Sequence, residues 1–195
     1  MARIPYPPDP PSGAADAGGR LPAPLNLLRM YAHAPAVAGP VAELGLALLA
    51  RTSLPPRLRE LVIMAVAART GCPYEAVQHT PIALDAGLGE GQLRAVMSLA
   101  WDEPGVFDAK ETAVLAATAE LLRGHKVSEP VLAALREACT DREVVELVTL
   151  AGYYAMLAGF LNGLDVDIDP AGERFAALVN RRTPAPGADE TGPGR

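Results

Sequence analysis

Arg59-Glu60-Leu61-Val62-Ile63-Met64-Ala65-Val66-Ala67-Ala68-Arg69-Thr70-Gly71-Cys72-Pro73-Tyr74-Glu75-Ala76-Val77-Gln78-His79 reads as the junction of two helices. The first, predicted over residues 57–69 after Ser53-Leu54-Pro55-Pro56, sets Leu58, Leu61, Val62, Ala65 and Val66 on one face. Ile63, Met64 and Ala67 fill much of the remaining circumference, so this helix is apolar nearly all round and belongs near the centre of the fold. Gly71 reads as its stop and Cys72-Pro73 as the start of the next helix, with Cys72 at the N-cap and Pro73 at the first helical position. Glu75 and His79 stand at i and i+4 and face the same way, and Cys72 lies over that face. Polar chemistry is therefore concentrated in an apolar neighbourhood. A thiol at a helix start also meets the positive end of the dipole, which favours the thiolate.

Each of these residues has a plainer reading. Glu60, near the start of its helix, opposes the dipole and has Arg57 and Arg59 as ion-pair partners. Cys72-x-x-Glu75 imitates a capping box, although a thiol is a poor substitute for serine. Such a box accounts for Glu75 without catalysis, but it does not account for His79. Pro81 removes the hydrogen bond to the Val77 carbonyl, so a kink is expected beside His79, where the freed carbonyl either fixes the imidazole tautomer or merely bends the helix.

Elsewhere the pattern is helical throughout. Helices are predicted over 26–33 and 37–51 with a break near Pro35 to Pro40, over 73–87, over 91–100, and from an Asp108 cap to 122 with a stop at Gly124. Ser128 opens another that ends near Cys139, and Thr140-Asp141-Arg142-Glu143 reads as a capping box for a long helix through 163. A last short helix is expected over 170–180. The long helix carries Gly152, Ala155, Ala158 and Gly159, small residues that allow close approach, and Tyr153 and Tyr154, one of which is a candidate to present its hydroxyl to a pocket. His33 and His125 read as helix-end residues and Cys139 as an ordinary buried thiol. No alternation with β-branched residues persists long enough to suggest a sheet, so the fold class is all-α.

Composition sets the outer limits. The 195 residues make one domain, over 21–180, flanked by a Pro/Gly-rich arm over 1–20 with five prolines in its first eleven positions and by a Pro/Gly-rich tail over 181–195. Both flanks are expected to be disordered. A formal net charge of −6 without a basic stripe argues against nucleic acid as a partner. Two cysteines make neither a disulfide framework nor a zinc set, which suits a reducing compartment. The N-terminus lacks the apolar core of a signal peptide, and no apolar run reads as long enough to span a bilayer, so a soluble cytoplasmic protein is expected.

Glu60, Cys72 twelve positions on, then Glu75, His79 and an Ala83…Ala86-Gly87-Leu88 continuation resemble the carboxymuconolactone decarboxylase family, which includes alkylhydroperoxidase D, over roughly residues 25–165. The peroxidase branch of that family carries Cys-x-x-Cys-x-x-x-His with an upstream Glu in a proton relay. Cys72, His79 and Glu60 match it, whereas Glu75 stands where the second Cys belongs. A large group of relatives reads Cys-x-Tyr-Glu-Trp-x-x-His, which the chain follows at Cys72, Tyr74, Glu75 and His79 and leaves at Ala76. The resemblance implies an alkylhydroperoxidase D-like helical domain, a homotrimer or homohexamer, a small-molecule substrate and no metal or organic cofactor.

Function then turns on Glu75. Without a second nearby thiol the resolving step of a two-cysteine peroxidase is lost, while two carboxylates and an imidazole in an apolar surround suit proton transfer. The expected activity is lyase-type acid/base chemistry on a small organic acid or lactone. His79 would be the general acid/base, Glu60 its orienting carboxylate, and Glu75 and Cys72 would line the pocket with Tyr74, Tyr153 or Tyr154 against the substrate. A one-cysteine thiol peroxidase using Cys72 is the second reading, and a non-catalytic helical oligomer that binds a small ligand is the third.

Overall fold

The computed structural model describes residues 1–7 and 25–169. Among the described residues the chain forms helices and no strands: α1 (Asn26–Tyr31), α2 (Pro35–Ala50), α3 (Pro56–Thr70), α4 (Pro73–Asp85), α5 (Glu90–Met97), α6 (Ala109–Gly124), α7 (Glu129–Ala138) and α8 (Asp141–Leu164). The all-α expectation therefore stands. The helix expected over 170–180 lies outside the described residues.

The core is built around α3. Every residue from Leu58 to Ala67 is buried, which is what a helix apolar round its circumference requires. It touches α4, α5, α6 and α8, while α6 packs on α7 and α8, and α2 on α1 and α8. Leu61, Ile63 and Met64 of α3 meet Leu115 of α6, Leu135 of α7 and Leu147, Leu150 and Leu161 of α8 in one core cluster. Pro56 occupies the first turn of α3, where the missing N–H costs nothing. Gly71 closes the helix in the left-handed region at φ 59°. The amide of Cys72 donates to the Ala67 carbonyl at 2.9 Å and that of Gly71 to Ala68 at 3.3 Å, a Schellman closure that leads straight into α4.

Three local readings change. The break expected near Pro35 to Pro40 falls just before Pro35: α2 begins at Pro35 and runs through Pro40. Pro40 and Ala36 are both exposed, so the carbonyl that proline leaves without a helical donor can meet water. As expected, α4 continues past Pro81, ending at Asp85, with Val77 on its exposed side. α6 ends one residue later than expected, with His125 rather than a glycine in the left-handed position at φ 55°, its amide bonded to the Leu121 carbonyl at 2.9 Å. Finally, α8, 24 residues long, does pass the test of length and apolar composition for a membrane span, contrary to the reading of the sequence. Its Leu147, Leu150, Ala151, Leu157, Ala158 and Leu161 are buried against the other helices, and its Thr140 cap accepts from the Glu143 amide as the capping box predicts.

The first seven residues of the expected arm are tied down. Arg3 donates its amide to the Leu164 carbonyl at 2.8 Å, Ala2 and Tyr6 both donate to Asp167 at 3.2 Å, and the Arg29 guanidinium sits 4.3 Å from the Tyr6 ring centre. His33, past the end of α1, meets the Pro5 carbonyl at 2.8 Å, in keeping with a helix-end role.

Candidate active site

α3 and α4 lie against each other, so the carboxylate of Glu60 meets the imidazole of His79 although nineteen positions separate them. The His79 Nδ1 to Glu60 Oε2 distance is 2.8 Å. On the other side of the ring, His79 Nε2 lies 3.4 Å from Glu75 Oε2, the i, i+4 pairing read from the sequence. The Nδ1 contact is short and the Nε2 contact exceeds the usual N–H···O range of about 2.7–3.2 Å, so Glu60 fixes the ring while Glu75 holds it loosely. All three side chains are buried.

Glu60 satisfies both of its readings at once. Oε2 orients His79, and Oε1 accepts from Arg59 Nε at 3.0 Å. Arg59 is itself buried and donates a second bond to the Leu49 carbonyl at 2.7 Å. Arg57 turns away to Glu111 at 2.7 Å. The first turn of α3 contains no acidic residue, so the dipole explanation for Glu60 falls away. The Glu60 bond at Nδ1, rather than the carbonyl that Pro81 leaves at Val77, orients the ring.

Charges of both signs meet in the cluster: the Arg59 guanidinium pairs with Glu60, and the His79 ring lies between the carboxylates of Glu60 and Glu75. Moving a proton between His79 Nε2 and Glu75 Oε2 leaves the net charge of that buried pair unchanged, which avoids the large cost of an uncompensated interior charge. Burial raises the Glu75 pKa, the His79 charge opposing it and that of Glu60 adding to it. For His79, burial works to lower the pKa, but the charge and hydrogen bond of Glu60, joined by the Glu75 charge, outweigh it and the net shift is upward. Both groups are thereby moved toward the neutral range in which an acid/base pair operates.

Cys72 departs from expectation. It is the N-cap residue of α4 but its side chain makes no capping hydrogen bond, so the imitation capping box with Glu75 is not formed. Only 1% of it is exposed, against 6% for Cys139, and both thiols are free. Burial pushes its pKa up. The Glu75 carboxylate adds to that rise, and the backbone amides of Glu75 and Tyr74, which act the other way, do not cancel it. The dipole of the helix start thus loses to desolvation, and Cys72 is a thiol at neutral pH.

The three tyrosines separate. Tyr74 donates its hydroxyl to Asp169, whose carboxylate also accepts the Asn26 amide at the start of α1. Tyr153 donates to the Val41 carbonyl at 3.0 Å. Both hydroxyls donate to groups that hold elements together. Tyr154 packs edge-on to His79 with ring centres 5.2 Å apart and forms an aromatic wall of the cluster. Reading the sequence missed Gln78, which is buried beside this cluster and shares the buried face of α4. Its position three residues after Glu75 and one before His79 was the available signal. Two surface cavities, of about 310 Å³ beside Trp101 and about 500 Å³ beside Gln92, are lined by none of these residues. Among the described residues no group of three or more His, Cys, Asp or Glu side chains is arranged to hold a metal ion.

The model of the carboxymuconolactone decarboxylase family matches residues 35–120, which contain the whole Glu60, Cys72, Glu75 and His79 constellation. Solved structures share the fold at low identity. An alkylhydroperoxidase AhpD core protein, an uncharacterized peroxidase-related protein from Ralstonia eutropha JMP134, is 20% identical with a TM-score of 0.71 over 90% of this chain and 95% of that one. An uncharacterized peroxidase-related protein from Silicibacter sp. TM1040 is 16% identical with a TM-score of 0.73 over 86% and 92%. The debrominase Bmp8, of which a cysteine-to-alanine variant has been solved in complex with 2,3,4-tribromopyrrole, is 16% identical with a TM-score of 0.66 over 87% of each chain. No curated protein matches the sequence. Residues 35–120 thus match the carboxymuconolactone decarboxylase family model, and the all-helical fold is shared with alkylhydroperoxidase D-like structures.

Proposed function

We propose that the protein is an enzyme that transfers a proton on a small organic acid or lactone, without a metal or organic cofactor, in a soluble cytoplasmic setting. The observation that carries this reading is the buried line Glu60–His79–Glu75, with 2.8 Å at Nδ1 and 3.4 Å at Nε2. Glu60 holds Nδ1 and stabilises the imidazolium when it forms. His79 Nε2 takes or returns the proton, and Glu75, raised by burial, is the partner that accepts or supplies it. Tyr154 closes one side of the ring, and Cys72 contributes buried bulk rather than a nucleophile. In a lyase-type reaction such a pair would protonate the carbon from which carbon dioxide departs, or open a lactone by elimination. The elimination removes a proton from the carbon next to the C–O carbon so that a C=C bond forms as the C–O bond breaks, and protonates the carboxylate that leaves.

A thiol reaction at Cys72 is the second reading, favoured by the amides of Tyr74 and Glu75 that face the sulfur and by the peroxidase-related description of two similar structures. In that reaction the thiolate attacks a hydroperoxide oxygen, releasing alcohol and leaving a sulfenic acid that external thiols reduce back, with water and a disulfide as products. Burial of the thiol and its raised pKa weigh against it.

Two variants separate the readings. On whichever substrate proves active in a lactone panel or in a hydroperoxide assay with added dithiol, His79→Gln should lose about 10²- to 10⁴-fold in turnover, the usual contribution of a general acid or base, and Cys72→Ser much less. A dead Cys72→Ser protein beside a nearly normal His79→Gln protein, both still helical by circular dichroism, reverses the assignment.

A further inference from the structure

Gln78 is 3% exposed, and neither its Nε2 nor its Oε1 has a hydrogen-bond partner among the described residues. It is the one described side chain whose buried polar atoms stand in that position. A buried primary amide offers two donors and an acceptor, and leaving them unpaired costs the folded protein their full desolvation. A leucine there would be the stable choice for the chain by itself. The amide makes physical sense only if something with complementary groups pairs with it.

Its place says what that is. Helical phase puts Tyr74, Gln78, Ile82, Glu75 and His79 on the buried face of α4, with Gln78 between Tyr74 and Glu75. Tyr74 is committed to Asp169, and Glu75 and His79 face each other. The carboxylates of Glu60 and Glu75 both lie on the His79 ring, so an anionic ligand would bring further negative charge beside them. An uncharged amide is matched by an uncharged group that supplies both a donor and an acceptor.

We infer that the Gln78 carboxamide is the polar anchor for the substrate of the His79 site, and that it takes an uncharged carbonyl compound with a hydroxyl or N–H beside the carbonyl, such as a lactam or a hydroxylated lactone. The inference deepens the proton-transfer reading and rests on it, since Gln78 stands at i+3 from Glu75, the partner of His79, on the same buried face of α4. Gln78 binds; it does not move the proton.

The chain has two glutamines, Gln78 and Gln92, and the second is held by Val106 and Glu111 at 3.0 and 3.1 Å, so side-chain amide ¹⁵N labelling of glutamine gives a probe and an internal control. Titration of the full-length protein with 2-pyrrolidinone, which donates and accepts, should shift the Gln78 amide pair saturably and leave Gln92 still. γ-Butyrolactone, which only accepts, should bind on the order of tenfold more weakly. Gln78→Leu should melt at a higher temperature than the wild type and lose at least about tenfold in pyrrolidinone affinity. Pyrrolidinone that leaves the Gln78 amide unmoved, or that binds Gln78→Leu as well as wild type, overturns the inference. A lowered melting temperature with unchanged binding also overturns it, because the amide is then paired within the assembled protein. Should pyrrolidinone move the His79 ring resonances but not Gln78, the anchor fails and the proton-transfer reading survives. Should Gln78 respond while His79→Gln keeps full turnover, the anchor survives and the proton-transfer reading falls.

Discussion

His79 and Glu75 hold their protons to higher pH in the folded chain than in the unfolded one, and that has a sign. A group whose folded pKa is raised binds more protons in the native state, so its contribution to stability is complete below the unfolded value and is lost as pH rises through the folded one. For Glu75 that loss begins above its ordinary value of 4.5 and for His79 above 6.5. Urea unfolding across about pH 5 to 9 should therefore show stability falling on the alkaline side, and the part of the fall above the ordinary histidine value should vanish in His79→Gln. A wild-type curve that rises over that range would contradict the placement of charges. The cysteines follow the same logic of burial. With 1% and 6% of their surface exposed and both pKa values raised, Cys72 and Cys139 should both alkylate slowly in the native protein and rapidly in urea. Fast native labelling of Cys72 by a small reagent, located by peptide mapping, would show that the His79 site opens. The sequence pointed instead to a Cys72 favoured as thiolate, because a cap position is visible in a string of letters and the solvent it loses to neighbouring helices is not. Glu75 and His79 were legible for a different reason, since their pairing follows from helical phase, and Glu60 was legible through the family resemblance. Arg59 was visible only as one of two candidate partners for Glu60, and the two tyrosine hydroxyls spent on Asp169 and Val41 depend on long-range contacts that no local spacing encodes.

At the scale of elements the site is set by the α3–α4 turn. Gly71, in the left-handed region, reverses the chain so that α4 lies back along α3 and the Cys72 amide reaches the Ala67 carbonyl. A Cβ at Gly71 would meet nothing within 4 Å, so crowding is not the obstacle; only the backbone conformation is. Gly71→Ala should cost about 1–2 kcal/mol, the penalty of the left-handed region for an L-residue, read as a lowered urea midpoint with an unchanged slope. Gly71→Asn, which tolerates that region better, should recover part of the loss. Equal damage from alanine and asparagine would mean that the turn has another constraint. Glycine and proline at this turn made the two helices legible to within a residue, and Asp108 and Thr140 did the same for α6 and α8, whose caps accept from Glu111 and Glu143. Proline misled at Pro40, since a helix tolerates it where the abandoned carbonyl faces solvent, and exposure is decided by tertiary packing.

The whole molecule presents α8 with more apolar surface than one subunit covers. Its inner face fills the core, yet Val145 is 65% and Met156 46% exposed, and Val148, Gly152 and Gly159 lie exposed on the same outward stripe. No Cβ neighbour lies within 4 Å of either glycine, so the stripe is open to close approach by another backbone. Exposed Val37 and Leu44 extend the apolar surface onto α2, which packs against α8. Scattered apolar residues need no explanation, but a stripe along one helix does, because burying it is worth about 25 cal/mol per Å². We therefore expect a homo-oligomer, a trimer or hexamer, assembled through this face of α8. Light scattering should give three or six times the 20.3 kDa chain mass across micromolar dilution. Replacing Val145 and Met156 together by lysine should shift that mass to the monomer with helical circular dichroism retained, because both side chains point outward in the single subunit and their loss opens no cavity in the core. If the wild-type protein is itself monomeric, the stripe has another use; if the double variant keeps the oligomeric mass, the subunits meet through a different face.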